Sequence, residues 1–430
     1  MSHRGSFLRQ VVAIIVGATA FASAPARALG GDECAPAWTA EFGSQPGVDN
    51  AVSSLAVFDD GGGGGPALHL AGSFLSAGGV AVNRIARWNG TAWTALGAGT
   101  NGPVECMLVF DDGSGEGPAL FVGGSFTSAG GVPTANIARW NGTSWSALGA
   151  GVNGIVHALA IFDDGLGGGP ALVVGGAFTS AGGGAASRVA KWDGTSWTAL
   201  GAGCDGTVRA LAVLDDGAGA ALFVGGAFAN AGGAPASRIA TWDGASWSSL
   251  GDGVNGLVRA LAVFDDGEGD GPSLFVGGEF TSAGALAASR IARWNDGAWS
   301  ELGSGMNSAV YSLAVVDDGT GGGPALHAGG LFVIANGVVV SRIAKWTGAT
   351  WSDLAAGTDN AVLAMIGFDD GRGDGAALFA AGWFTNAGGV RALRVSRWNG
   401  SAWSALGTGL NGTVRAMAIF DDGLGGGPAL

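Results

Sequence analysis

Leu120-Phe-Val-Gly-Gly-Ser-Phe126, followed fourteen residues later by Trp140-Asn-Gly-Thr-Ser-Trp145, recurs along almost the whole chain. Its period is read most cleanly from the Asp-Asp-Gly triplets beginning at Asp59, Asp111, Asp163, Asp215, Asp265, Asp317, Asp369 and Asp421. Successive intervals are 52, 52, 52, 50, 52, 52 and 52 residues. The short one lies in Asp215-Asp-Gly-Ala-Gly-Ala-Ala-Leu222, where a glycine-rich turn has lost two residues. Loops tolerate such losses because closure entropy changes slowly with length. A fixed period of this size marks a repeat architecture, in which each unit buries its apolar face only against its neighbours.

Each unit reads as four short strands. In the third unit they are Val156-His-Ala-Leu-Ala-Ile-Phe162, Ala171-Leu-Val-Val174 ended by Gly175-Gly176, Arg188-Val-Ala-Lys-Trp192, and Ser196-Trp-Thr-Ala-Leu200. Apolar runs of four to seven residues bounded by Gly, Asn and Asp are strand signals. Asn-Gly or Asp-Gly between the last two strands supplies positive φ for a tight hairpin. No unit carries a 3.6-residue apolar period longer than one turn, so the chain is expected to be all-β.

Four strands per unit of about 50 residues is the blade of a kelch-type β-propeller. The residues agree: the Gly123-Gly124 pair after the second strand and the spaced Trp140 and Trp145 resemble the kelch family, over roughly residues 38 to 430. Trp stands where kelch blades usually carry Tyr. The long Gly-Gly loop also resembles the glycine-rich Trp-Asn-Gly repeats of secreted bacterial proteins. Trp192-Asp and Trp242-Asp superficially suggest WD40, but the period is too long and the Gly-His partner is absent. A stacked β-solenoid is the alternative architecture. The expectation is a propeller of seven to eight four-stranded blades.

Residues 1–28 read as a signal peptide, with Arg4 and Arg9 at the charged start, an apolar Val11 to Ala22, and a small-residue cleavage site at Ala26-Arg-Ala28. That apolar run is too short to span a bilayer, and no later segment is long and apolar enough. The expected location is therefore secreted or cell-surface. Residues 29–430 are expected to form the propeller, with seven complete repeats and partial units at both ends. Trp38-Thr-Ala-Glu-Phe42 resembles a lone fourth strand, and Thr413 to Leu430 supplies a first strand and the beginning of a second. On that count the N-terminal strand would complete the blade that the C-terminus begins, or the sequence continues beyond Leu430. Ring closure removes sheet edges, so a monomer is expected.

The chain has 34 acidic against 20 basic residues and a net charge of −14. Nucleic acid, which needs a basic footprint, is excluded as a partner, as are anionic membrane surfaces. Glycine, at 85 residues, is far above the ordinary ~7 per cent; with a fixed period and 16 Trp it signals tight turns around a packed core. Cys34, Cys106 and Cys204 have no repeated spacing and form no disulfide framework. Seven Trp pairs and a Phe after each Gly-Gly (Phe74, Phe126, Phe178, Phe228, Phe280, Phe332, Phe384) are expected to fill the core between blades. Trp383 lies outside the repeated positions and is the best candidate for an aromatic platform stacking on sugar.

The kelch resemblance raises copper-radical oxidation, which needs tyrosines, histidines and a cysteine around the metal. Tyr311 is the one tyrosine, and His69, His157 and His327 fall in different units without metal-ligand spacing, so that chemistry is set aside. The repeated Asp-Asp-Gly-x-Gly raises calcium, since paired carboxylates suit a hard cation. The alternating Asp spacing of calcium loops is missing, however, and Asp-Gly turns the chain unaided. No cofactor is therefore expected. Arg84, Arg188, Arg238, Arg290, Arg342 and Arg394 recur before the third strand, where stacking on Trp or pairing with a carboxylate is expected.

One position escapes the repeat. Just after the Val that opens each first strand stand Ser53, Glu105, His157, Arg209, Arg259, Tyr311, Leu363 and Arg415. In a propeller the first strand is innermost, so these eight side chains should ring one mouth of the central channel. A mixture of His, Glu, Tyr and three Arg can grip an anionic or polyhydroxyl ligand through charge-assisted hydrogen bonds. The function expected is a non-enzymatic binding scaffold for an extracellular protein or carbohydrate. The alternative is a hydrolase or lyase acting on carbohydrate at the same mouth, where paired carboxylates would have to converge.

Overall fold

A computed structural model of the chain describes residues 48–60, 65–89, 92–215, 219–267, 271–318, 320, 322–369, 376–406, 409–410 and 412–419, and two short strands, Ile14–Ile15 and Ala18–Thr19. Apart from those two strands, the signal-peptide reading of 1–28, and with it Cys34 and the early strand at Trp38, lies outside the described residues. The rest is a seven-bladed β-propeller, each blade a four-stranded antiparallel sheet whose strands follow one another in sequence. In blade three the order from the axis outward is Val156–Phe162, Ala171–Gly176, Val189–Trp192 and Trp197–Ala199. The inner strands of the other blades are Val52–Phe58, Val104–Phe110, Val208–Asp215, Val258–Phe264, Val310–Val316 and Val362–Phe368. Among the described residues no helix is long and apolar enough to cross a membrane.

The core is a series of slabs between blades. The slab between blades two and three joins Leu108, Phe121 and Leu148 to Leu159, Val174 and Phe178. All seven Phe that follow the glycine pair are buried. The start of the eighth unit fills the seam between blades seven and one. Val414 and Met417 pack on Ile366, Phe368 and Leu406, while Val414 bridges Val52 in parallel and the Arg415 N–H donates to the Val52 carbonyl at 3.2 Å. No described blade is shared between chain ends, because each of the seven draws its four strands from a single unit.

The tryptophans latch neighbouring blades. Trp140 and Trp145 face each other across the third and fourth strands, their rings 5.2 Å apart and tilted at 51°. The Trp145 Nε1–H also reaches back to donate to the Leu96 carbonyl of blade one at 2.7 Å. Trp197, Trp247, Trp299, Trp351 and Trp403 make the same bond to the preceding blade, to Leu148, Leu200, Leu250, Leu302 and Leu354. A buried indole thus supplies both apolar area and a satisfied donor.

The Asp pairs bond chiefly within their own blades, though Asp112 also accepts from the Trp192 Nε1–H of blade three at 3.4 Å. The second Asp of the pair faces a cation from the third strand: Arg87–Asp60 at 3.0 Å, Lys191–Asp164 at 2.6 Å, Arg293–Asp266 at 3.5 Å and Lys345–Asp318 at 2.7 Å. The first Asp caps its own turn, as where Asp163 accepts from the Gly165 N–H at 2.9 Å. In blade six burial works against the Asp318 charge, yet the adjacent His327 ring and hydrogen bonds from Lys345 and Thr320 hold its carboxyl well below the usual range.

Two details differ from expectation. In blade five Asp296 and Gly297 both have positive φ, as a type I′ turn requires. In blades two, three and four only the glycine is positive, and the preceding Asn or Asp instead caps the loop with its side chain, Asn141 Oδ1 accepting from the Thr143 and Ser144 N–H groups. The recurrent arginines also depart from expectation. Arg84, Arg188, Arg238, Arg290, Arg342 and Arg394 sit in the left-handed region at φ of 67–73°. The four whose bonds can be traced donate to backbone carbonyls and not to carboxylates or Trp faces: Arg84 to Thr100, Arg238 to Val254, Arg188 to Phe178 and Arg394 to Trp383. Asn136 does the same work in blade two, donating to Val152 at 2.8 Å from φ 61°. A left-handed non-glycine residue is strained, and these side-chain bonds to neighbouring loop carbonyls help hold it there.

Candidate functional site

Every inner strand begins with a β-bulge. In blade three Val156 pairs with Gly176 and Ala158 with Gly175, so His157 is the extra residue, without a partner of its own on the second strand. The same shift isolates Ser53, Glu105, Arg209, Arg259, Tyr311 and Leu363. A bulge takes one residue out of the ladder and re-aims its side chain. The glycine pair makes this possible. A Cβ on Gly176 would lie 2.0 Å from the Ile155 carbonyl oxygen, where the bulged backbone crosses. A Cβ on Gly175 would lie 2.6 Å from Cγ1 of Val208, the residue that opens the next blade's inner strand. The second glycine stands in all seven blades and is the one each bulge requires, whereas blades one and seven carry Ala71 and Ala381 at the first position.

The approach to each bulge is pinned by a side chain that the motif pattern alone does not single out. Asp49, Asn101, Asn153, Asp205, Asn255, Asn307 and Asp359 each stand three residues before the opening Val. Each accepts, through Oδ1, two successive backbone N–H groups of the loop after the second strand, as Asn153 does from Thr179 and Ser180 at 2.7 and 2.9 Å. The same pair of bonds recurs in the other six blades. An Asn or Asp at that fixed offset in every unit was the available signal.

The bulged residues converge. All eight singled out from the sequence, Ser53, Glu105, His157, Arg209, Arg259, Tyr311, Leu363 and Arg415, line one cavity of about 680 Å³ at the axis. Ser73, Trp383 and the backbone around Pro103 complete its wall. Arg415 belongs to the eighth unit and joins the ring through the bridge to Val52.

The wall has two sectors. Blades two to five contribute charge. His157 Nδ1 lies 2.5 Å from Glu105 Oε2 across two blades. Arg259 holds Glu279 through Nε at 2.7 Å and Nη2 at 2.5 Å, and its guanidinium also sits over the Tyr311 ring at 4.9 Å. Between these pairs stands Arg209, whose Nε is buried without a hydrogen-bond partner in the protein. Blades six and seven contribute aromatic and aliphatic surface: Tyr311, Leu363 and Trp383, with Trp383 edge-on to Tyr311 at 6.5 Å and 70°. Arginines outnumber carboxylates at this mouth, against a chain charge of −14. Cys106 and Cys204 take no part: both are buried free thiols, Cys204 pushed by burial up to about 12.

No protein-family model matches the chain, and no curated protein matches it. Among solved structures, BBS1N in complex with ARL6DN is similar at 15% identity and a TM-score of 0.40, over 73% of this chain and 83% of that one. YCF48 from Cyanidioschyzon merolae is similar at 13% identity and a TM-score of 0.38, over 78% of this chain and 94% of that one. A GH74 xyloglucanase from Xanthomonas campestris is similar at 16% identity and a TM-score of 0.41, over 79% of this chain and 53% of that one. Likenesses of this degree carry nothing about ligand or activity.

Proposed function

We propose that this chain is an exported, kelch-like propeller that works at the cell surface or outside the cell as a monomeric, non-enzymatic binding module. Its ligand, an extracellular carbohydrate or protein, docks in the mouth of the central channel. The observation that carries this reading is the convergence of the eight variable bulge residues on one cavity, from a strand whose other positions are almost all apolar. The carboxylates that reach the mouth support binding over hydrolysis. Glu105 faces the His157 ring and Glu279 is held by Arg259, whereas a glycosidase pair needs two carboxyl groups facing one bond.

The test is a glycan and protein binding screen on residues 29–430, run beside Arg209→Ala and Arg259→Ala. The expected result is a ligand whose affinity falls in both variants without turnover. A ligand consumed during the assay, or one bound equally by all three proteins, would overturn the reading. The module is also proposed to work without calcium, because a Lys or Arg already faces the second Asp of the turn in blades one, three, five and six. A chelator should therefore shift the melting temperature by no more than about a degree or two, since only a ligand of the native state stabilises it by mass action.

A further inference from the structure

We infer that the mouth recognises an acidic oligosaccharide, with the carboxylate of a uronic-acid residue on Arg209 and a sugar ring against Trp383. The inference rests on the binding role proposed above and narrows its ligand. Three observations carry it.

First, the Arg209 Nε–H is buried at the cavity wall and makes no hydrogen bond within the protein. Leaving a charged donor dry and unpaired is costly, and a ligand acceptor reaching it removes that cost. Nε and the neighbouring Nη form the side-on edge of the guanidinium fork, whose geometry matches two carboxylate oxygens. Its neighbours in ring order, His157 and Arg259, already face Glu105 and Glu279, which leaves the Arg209 Nε–H as a donor whose demand a ligand would meet.

Second, the tryptophan in the wall is not required by the fold. The position after the glycine pair is Ser73, Ser125, Ala177, Ala227, Glu279 and Leu331 in blades one to six, and only blade seven carries an indole, Trp383. It sits half-buried in the cavity wall, braced edge-on by Tyr311. A braced aromatic face with the rest of its surface open to a cavity is a stacking platform, and the C–H face of a pyranose is flat and apolar enough to use it.

Third, the wall also offers hydroxyl and imidazole groups, Ser53 and Ser73 from blade one and His157 from blade three. These groups exchange hydrogen bonds with sugar hydroxyls as readily as with water. A simple phosphate or sulfate would use Arg209 and leave the indole idle. A neutral sugar would use the indole and leave Arg209 unpaired. A uronic-acid oligosaccharide uses both, and a cavity of about 680 Å³ lies within the ~300–1,000 Å³ common for small-ligand sites.

The experiment is calorimetric titration of residues 29–430 with trigalacturonate and with its fully methyl-esterified form, which keeps the skeleton and removes the charge. Arg209→Ala, Arg209→Lys and Trp383→Leu are titrated alongside; leucine already stands at the equivalent position of blade six, so that variant should fold. The acid should bind at least tenfold tighter than the ester. Arg209→Ala should abolish that preference by weakening the acid far more than the ester, and Arg209→Lys should restore only part of it. Trp383→Leu should weaken acid and ester alike and remove the ligand-induced change in tryptophan fluorescence. The inference is overturned if acid and ester bind equally, if Arg209→Ala leaves the preference intact, or if trigalacturonate fails to bind at low ionic strength. In the last case, a screened ligand of another class that still depends on Arg209 would leave the binding role standing while the uronate assignment falls.

Discussion

The rim and the mouth of this propeller are built from the same repeat and treat variation in opposite ways. At the rim, the fourth strand carries Trp in all seven blades. Its ring faces the third-strand Trp and, in blades two to seven, its Nε1–H donates to the preceding blade, so both its area and its donor are committed. At the mouth, the bulged residue is Ser, Glu, His, Arg, Arg, Tyr and Leu in turn. It has no partner on the neighbouring strand, so the ladder places no demand on its side chain. Uniformity marks the places where two blades meet, and diversity marks the place where the fold has released a side chain.

The sharpest way to break the comparison is at the rim. Trp145 is buried, stacks on Trp140 and bonds Leu96. Trp145→Ala should cost about 3–5 kcal/mol in denaturant unfolding, the range for emptying a large aromatic site. Trp145→Phe keeps most of the area and loses the donor, while the Leu96 carbonyl still accepts from the Gly99 N–H at 3.1 Å, so it should cost about 0.5–1.5 kcal/mol. A loss below about 1 kcal/mol for the alanine variant would mean that the blades are held by something other than these latches.

The second expected effect depends on pH and comes from a core position where blade one departs from the repeat. His69 is fully buried where Phe121, Phe223, Phe275 and Phe379 stand in four other blades. Its Nδ1 faces the Ala67 carbonyl at 3.1 Å and its Nε2 has no partner. Burial pushes its pKa from 6.5 down to about 4. The unfolded chain therefore binds more protons than the folded one between these values, and stability must fall as pH is lowered from 6.5 toward 4. The shift corresponds to about 3 kcal/mol, fully present above pH 6.5. His69→Phe should flatten that part of the pH–stability profile. An unchanged slope would show that the imidazole is not buried neutral.

The bulge itself comes next. Gly176→Ala sets a methyl group 2.0 Å from the Ile155 carbonyl, against backbone that cannot move without re-registering the strand. A cost of roughly 1–3 kcal/mol is expected, as for overpacking. The same change should disturb ligand binding through His157, so rim-like and mouth-like effects appear together at this one position.

Much of this architecture was legible in the sequence because it repeats. The 52-residue ruler, the strand runs and the paired Trp led to a propeller of seven to eight blades, and the structure has seven. The bulge residues were legible as exceptions to an apolar strand, and their positions at the axis follow from the innermost place of that strand. The physical device was not legible: a bulge is a register shift, and no residue type announces it, although the glycine that ends the second strand, and permits it, stands in all seven blades. The Asn153-type anchors were missed because Asn and Asp before a strand read as ordinary turn residues. The recurrent Arg188-type residues were misread because nothing in an arginine advertises a left-handed backbone. Glu279 and the Arg209 Nε–H could not be weighed at all, since one depends on a cross-strand neighbour and the other on the absence of one.

The smallest expected effect is the most informative about the mouth. Arg209→Ala removes a long side chain from a bulge with no ladder role, and it also removes a buried donor that the protein leaves unpaired. Losing the arginine's packed stem costs a little, while losing the orphaned Nε–H returns a desolvation penalty. The two terms oppose, so stability should change by no more than about 0.5 kcal/mol in either direction, as for surface substitutions generally. Leu363→Ser, at the same bulge in blade seven, should behave alike. The Glu105–His157 pair is the control within the same ring. It spans two blades with one partner about a third exposed, so a double-mutant cycle should find a coupling of at most about 1 kcal/mol. Were Arg209→Ala instead to cost about 2 kcal/mol or more, a loss on the scale of a buried network, the bulged residue would be part of the scaffold, and the diversity at the mouth would reflect seven local packing solutions in place of one binding surface.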